Sequence, residues 1–538
     1  MNTLSQAAKA ATDAIIQAEA EYDLVIIGGG ITGAGIFHLA ANQDLKVLLV
    51  EQNDFAWGTS SRSSKMIHGG LRYLATGQWR MTRDAARERE VMLAQLPGLV
   101  DLMPYIMLHK KGDFPSAALF QRVLAIYDRL AGSKYHRPLS MEKARTWLSE
   151  LSFDGISGVS LFADGVTDDA RLVLRALQDG VLAGGQALNY AKVTALIERG
   201  ENQDNSERVS GVRLVLTNTL DSQASDNTEY SVKAKCVINA TGSWAGKLHE
   251  LQGGGLRPLR GSHLVLPFER LPVSACLTFY HPQDGRPVYI YPWQGCSVIG
   301  TTDLDHHGEL NREPGITQQE IDYLLELVRH FYPKQELSES DVVSCWSGIR
   351  PIYCEDETEG KEPSKESREH IIWSKPGLIS VSGGKLTSYH LMAKETLDRV
   401  RQQFPNLFAG ELKRAPFSQV TLGYADEHLQ GYFGYFASQI AGMTNAEMIG
   451  ISRCQWRELE WSLANESVVH LDDLLLRRTR LALLLGIEIS RYRETILSLC
   501  CQHLAWSNTK AEQEWQRFEQ IVNTSYRLPS QQVNRECL

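Results

Sequence analysis

The chain has 538 residues, 43% hydrophobic and 22% charged, with 64 acidic residues against 55 Lys and Arg and a net charge of −9. At roughly 100–200 residues per domain this length suggests about three domains, and the apolar content excludes a disordered chain. The acidic balance argues against nucleic acid as a partner, and nine cysteines without a CxxC pair give neither a zinc ribbon nor a dithiol site and fit a reducing compartment.

Residues 1–20 are Ala-rich and helix-permissive, without the basic start and apolar core of a secretory signal. No run reaches the ~18 apolar residues of a membrane span, which leaves lying on a membrane surface open. Residues 23–27 read as a buried parallel strand. Gly28-Gly29-Gly30-Ile31-Thr32-Gly33 follows at once, then a helical pattern to Ala41 and a second strand ending in Glu51. This is a βαβ unit. Residues 80–100 favour a charged helix, and another helix begins after Thr167-Asp168-Asp169, which suit its start. Residues 189–240 read as β-rich with a hairpin tip at 221–227, and the last strand runs into Thr241-Gly242. Strands and turns alternate over 257–303. An amphipathic helix spans 316–332, and 355–369 is a charged loop. A strand at 379–382 leads through Gly383-Gly384-Lys385 into a helix reaching Phe404. Beyond about 405 the chain reads as helical, and 472–487, mixing Leu with Arg477, Arg478 and Arg480, is its clearest helix. Two readings of 474–485 stay open: a helix at a membrane interface with its arginines at headgroups, or a core helix with a basic solvent edge. The stretch 103–111 is ambiguous in the same way.

Gly28, Gly30 and Gly33 form GxGxxG between a strand and a helix, with Glu51 closing the next strand. Gly28 allows the sharp turn, Gly30 lets backbone approach a pyrophosphate, and Gly33 lets helix pack on sheet. The helix start offers free N–H groups to phosphates. Glu51 suits ribose hydroxyls and repels a 2′-phosphate, which disfavours NADP. The motif alone leaves NAD and FAD open. Asn239-Ala240-Thr241-Gly242 and Gly383-Gly384-Lys385, far along the chain, favour the longer FAD. No metal site is expected.

Residues 59–74, Thr59-Ser60-Ser61-Arg62-Ser63-Ser64-Lys65-Met66-Ile67-His68-Gly69-Gly70-Leu71-Arg72-Tyr73-Leu74, resemble a signature of the FAD-dependent glycerol-3-phosphate dehydrogenases. Asp168-Asp169-Ala170-Arg171-Leu172, Arg260-Gly261-Ser262-His263, Ile299-Gly300-Thr301-Thr302-Asp303, Ser347-Gly348-Ile349-Arg350-Pro351 and Gly383-Gly384-Lys385-Leu386-Thr387-Ser388-Tyr389 follow in the family's order. The resemblance runs from about 21 to 400 and continues more weakly over 472–480. It implies an α/β fold with three parts: a Rossmann-like FAD-binding domain of the glutathione-reductase or D-amino-acid-oxidase type, an interleaved α+β substrate domain, and a helical C-terminal domain. The expected limits are an extension at 1–20, an FAD domain at 21–80, 155–245 and 340–405, a substrate domain at 81–154 and 246–339, and a C-terminal domain at 406–538. The implied reaction is oxidation of sn-glycerol 3-phosphate to dihydroxyacetone phosphate by hydride transfer to flavin N5. Electrons then pass to a quinone, or in some members to oxygen. The implied location is cytoplasmic and peripheral to the inner membrane, with a homodimer possible.

Carried over residue by residue, the resemblance places FAD contacts at Gly28, Gly30, Ile31, Thr32, Gly33, Glu51, Thr59, Ser60, Ser64, Lys65, His68, Gly69, Gly70, Leu71, Val193, Ala240, Thr241, Gly242, Gly348, Gly384, Lys385, Leu386 and Thr387. Arg72, Arg350 and Arg368 match the family's site arginines, whose planar forks suit a phosphate. Tyr73 is a substrate contact or a packing residue. Removing a proton from a secondary alcohol calls for a base, and His263 is the first candidate, with His68 second. Lys385 could stabilise reduced flavin or a developing alkoxide. Among His263, Arg350 and Lys385 the proton-handling group stays open. Arg62 departs from a run of small hydroxyl residues. Two alternatives remain: the same fold acting on another hydroxy acid or an amino acid, and a non-catalytic flavin-binding subunit.

Overall fold

Glu21–Ile27 forms the middle of a sheet because Leu24, Val25 and Ile26 have no face to give to water, and all are fully buried. In the computed structural model, which describes every residue except 72, 73, 75, 76, 113, 201–206, 218–227, 249–253, 355–368, 421, 424, 425 and 533–538, this strand lies between Glu229–Asn239 and Val47–Val50. All three run parallel, and Ile27 stands level with Asn239 on one side and Val50 on the other. Leu378–Gly383 and Gln186–Leu188 extend the parallel set on either flank. His370–Lys375 adds antiparallel to Leu378–Gly383, and Ala191–Gly200 and Glu207–Leu216 form an antiparallel ribbon onto Glu229–Asn239. Helices Ile31–Ala41, Asp169–Leu182 and Tyr389–Gln403 pack together on this sheet. Asp168 caps the second by accepting from the Arg171 N–H, as its sequence suggested.

The second sheet is ten-stranded among the described residues and mostly antiparallel. It corrects the expected domain limits. Ile156–Thr167 pairs along Val100–Lys110, and Ser344–Cys354 pairs along Gly255–Pro267, so both belong to this sheet rather than to the FAD domain. Pairing partners lie far off in sequence, and no local pattern identifies them. The segment around 103–111 is therefore an internal strand and not a membrane surface.

The N-terminal segment is not a loose extension. Leu4–Ile16 is a helix with a Thr3–Gln6 capping box, and it buries Leu4, Ala7, Ala11 and Ile15 against the first sheet's cores. Residues 472–487 are not one helix either. A π-helical turn at Asp473–Arg478 gives way at Arg480, whose φ of +60° is left-handed, to a short helix Leu481–Leu485. The break turns the arginines inward. Arg477 and Arg478 reach Asp54, and Arg480 reaches Asp168 and Asp169, all buried. Both the headgroup reading and the solvent-edge reading of these arginines are overturned. No helix among the described residues is long and apolar enough to cross a membrane. The hairpin tip at 221–227 and nearly all of the charged loop lie outside the described residues.

Candidate active site

The level ends of the three parallel strands put Gly28, Glu51 and Ala240 side by side at the mouth of a cleft of about 430 Å³. Gly28 turns at φ +116°, and a Cβ there would stand 2.5 Å from the Ala240 carbonyl oxygen. A Cβ on Gly33 would stand 1.9 Å from the Gly28 oxygen, so Gly33 sets how closely the helix seats on the strand rather than touching a ligand. Helix Ile31–Ala41 begins at Gly30, which supplies no cap of its own; the Ser60 hydroxyl accepts from the Ile31 N–H at 2.9 Å, and the first turn opens on the cleft. Glu51 is fixed by accepting from the Gly29 and Asn53 N–H groups at 2.7 and 2.9 Å, and burial raises its pKa.

The same cleft is lined by Ile31, Thr32, Thr59, Ser60, Val193, Thr241, Gly242, Gly384, Lys385 and Leu386, all expected from sequence. Trp57, Lys192, Trp244 and Lys247 also line it and were missed. Each sits within a few residues of a flagged position, but no spacing rule marks them. Ser63 lines the cleft as well. The Thr387 hydroxyl accepts from the His68 N–H (3.0 Å) and the Tyr127 hydroxyl from the Gly69 N–H (2.7 Å). Gly70, at φ +73°, and Leu71 follow and do not line the cleft. Gly348 lies against the Arg62 backbone. The Lys65 side chain is sealed from the cleft, with Nζ 2.8 Å from Asp169 and set over the rings of Trp293 and Trp346. Arg62 turns away as well, onto Tyr526 and Glu313.

His263 and Arg350 come from paired strands of the second sheet. His263 is 1% exposed and stacks on Trp346 at 4.8 Å. Its Nε2 is 2.9 Å from the Ser64 hydroxyl, and Nδ1 has no hydrogen-bond partner among the described residues. Burial, reinforced by the charges of Arg350 and Lys65, holds it well below the ordinary imidazole pKa, so it is neutral in the physiological range. The Arg350 guanidinium is half-buried and held by Asp303 (2.9 Å) and Thr301 (3.0 Å). Pro351, its neighbour, lines the same cleft as Lys385, which ties this pair to the cofactor side. Arg72, Tyr73 and Arg368 lie outside the described residues. Among the described residues no group of His, Cys, Asp and Glu side chains could hold a metal.

A family model described as FAD dependent oxidoreductase matches residues 23–399. The chain belongs to that family. The aerobic glycerol-3-phosphate dehydrogenase of Staphylococcus haemolyticus is 32% identical over 535 residues, covering 91% of this chain and 92% of its own length. That of Staphylococcus saprophyticus is 30% identical over 531 residues, with the same coverage of each chain. The solved glycerol-3-phosphate dehydrogenase from Bacillus halodurans, complexed with FAD, superposes with a TM-score of 0.75 at 27% identity over 96% of this chain and 98% of that one. The L-α-glycerophosphate oxidase of Mycoplasma pneumoniae, at 18% identity and a TM-score of 0.56, shares the fold. FAD is the family's cofactor, and the residues of this member fit it. Glu51 would meet the ribose and the first turn of helix Ile31–Ala41 the pyrophosphate, with residues 382–386 lining the far end of the cleft.

Proposed function

We propose that the protein oxidises sn-glycerol 3-phosphate to dihydroxyacetone phosphate and passes the electrons to a quinone at the cytoplasmic face of a membrane. The observation that carries this reading is the pairing of a buried neutral imidazole, His263, with a phosphate-competent guanidinium, Arg350, beside the cofactor cleft. Near end-to-end likeness to proteins named aerobic glycerol-3-phosphate dehydrogenase supports it.

FAD, when bound, supplies the hydride acceptor. Arg350 binds the phosphate, with Arg72, Arg368 and Tyr73 as further contacts, and so fixes the alcohol carbon against the cleft. His263 takes the hydroxyl proton at Nδ1. An imidazolium beside Arg350 and Lys65 is disfavoured in the free protein. A phosphate on Arg350 offsets that charge and makes the proton easier to hold in the complex. Lys385, at the far end of the cleft, stabilises negative charge developing there. The test is anaerobic addition of single compounds to the holoprotein. Glycerol 3-phosphate is expected to bleach the flavin, and glycerol, glycine and proline are not. Bleaching by an amino acid alone would replace the substrate assigned here.

Attachment to the membrane is assigned to helix Ala117–Ala131 and the turn before it. Leu119 and Ile126 are each 38% exposed and Phe114 is 87% exposed, interleaved with exposed Arg122 and Arg129. At about 1 kcal/mol per cation near an anionic surface, the double substitution Arg122→Gln and Arg129→Gln should weaken binding to phosphatidylglycerol vesicles about 30-fold at low salt. Unchanged co-sedimentation would reject this surface.

A further inference from the structure

Ser64 is the one described side chain that hydrogen-bonds the His263 ring, and the loop that carries it is gripped from the C-terminal region. Asp169 accepts from the Ser63 N–H at 2.9 Å and the Ser63 hydroxyl at 2.7 Å with one oxygen, and from Lys65 Nζ at 2.8 Å with the other. Arg480 pairs with Asp169 and lies 3.0 Å from Asp168. It also donates to the Ser61 carbonyl at 3.3 Å. The Trp346 indole N–H donates to the Ser63 carbonyl at 3.1 Å, and the same indole stacks on His263. Lys65 itself sits at φ +57°, a left-handed conformation that a lysine holds only when its surroundings impose it. Asp169, Lys65 and Arg480 are all buried, so these contacts are not loosened by water.

We propose that Asp169 and Arg480 are positioning residues for His263, acting through the 61–65 loop and the Ser64 hydroxyl to fix which ring nitrogen carries the proton. This rests on the reading of His263 as proton acceptor. The ring's position is set without the loop. Trp346 stacks on one face, and a Cβ on Gly300 would stand only 2.2 Å from His263 Cδ2. What remains to be set is the tautomer. A neutral imidazole can accept a proton at Nδ1 only if Nε2 carries the hydrogen. The Ser64 hydroxyl can accept from Nε2–H or donate to a bare Nε2, and the first form is favoured because the second would bury an Nδ1–H with no described acceptor. The charged groups around the ring are Arg350 on the paired strand, itself tied to Asp303, together with Lys65 and Asp169. A displaced loop loses the Ser64 contact and moves Lys65 and Asp169 relative to the ring at once.

The test uses the holoenzyme with Ser64→Ala, Ser64→Thr, Arg480→Lys and the double variant S64A/R480K. Ser64→Ala should slow anaerobic flavin reduction by glycerol 3-phosphate about tenfold, roughly the worth of one hydrogen bond, and shift its pH profile. Ser64→Thr should restore both. Arg480→Lys, which keeps the charge but not the fork, should show the same shift. The double variant should be no slower than Ser64→Ala alone, because both changes remove one interaction. A substrate-free readout runs alongside. Selective ¹⁵N-histidine NMR should find His263 in the Nε2–H form in wild type and in mixed forms in Ser64→Ala and Arg480→Lys. Additive rates, or an unchanged tautomer in both single variants, overturn the proposal. If the tautomer responds as expected while glycerol 3-phosphate leaves the wild-type flavin oxidised, the substrate reading fails and the positioning role stands.

Discussion

His263→Asn should lower the anaerobic rate of flavin reduction by glycerol 3-phosphate about 10²–10⁴-fold, the range for loss of a positioned general base. The loss should appear in the reduction rate and hardly in substrate affinity, since the phosphate is assigned to Arg350 and not to His263. The absorption spectrum should stay that of a full flavoprotein, because His263 does not line the cofactor cleft. The pH dependence follows from the environment of the ring. Burial, Arg350 and Lys65 depress its pKa, so the bare imidazole persists as pH falls below the ordinary value of about 6.5. Free-enzyme activity through His263 should therefore be flat from pH 8 to below 6.5 and fall only at lower pH. The asparagine variant should lack that acid limb. A variant that reduces its flavin at the wild-type rate would remove His263 as the base and leave Lys385 to be tested next.

Asp54→Asn should be the most destabilising of the single changes considered. Asp54 is fully buried and meets Arg477 Nε at 2.5 Å and Arg478 at 2.6 and 2.8 Å, with Asn189 at 3.1 Å on the same carboxylate. It belongs to the loop after Val47–Val50, and the two arginines belong to the C-terminal region. The cluster therefore fastens that region to the cofactor domain. Removing one partner of such a buried pair strands charge in a low dielectric and costs about 3–5 kcal/mol. The two guanidiniums hold the Asp54 carboxyl below its ordinary pKa. Its contribution is therefore complete above the unfolded-state value of about 3.9 and is lost as pH falls through the folded-state value. Urea unfolding at pH 7 should show the full loss for Asp54→Asn. On acidification below about pH 4 wild type should lose part of its advantage over the variant. A difference under about 1 kcal/mol at pH 7 would mean that the arginines find other partners and that the cluster is not the fastening.

The cofactor end of the molecule was legible in the sequence because its signal is local. A buried run, a glycine turn, a helix and an acidic residue follow one another within about one βαβ unit, and the parallel register then places Gly28, Glu51 and Ala240 together. His263 and Arg350 were each visible in their motifs, but only the pairing of Gly255–Pro267 with Ser344–Cys354 puts them on adjacent strands. What misled was long-range. Residues 474–485 look amphipathic when read alone, and Asp54, Asp168 and Asp169, which pull Arg477, Arg478 and Arg480 inside, lie hundreds of residues earlier. Ile156–Thr167 went to the wrong domain for the same reason, since a strand's pattern shows that it has a buried face and not which sheet supplies it. Arg62, out of place among hydroxyl residues, makes sense once Tyr526 and Glu313 stand beside it.

The oxidised holoprotein, mixed with one equivalent of glycerol 3-phosphate in the absence of oxygen, should lose its flavin band and form dihydroxyacetone phosphate in equal amount. A fully loaded flavin that remains oxidised in excess glycerol 3-phosphate would contradict the assigned reaction.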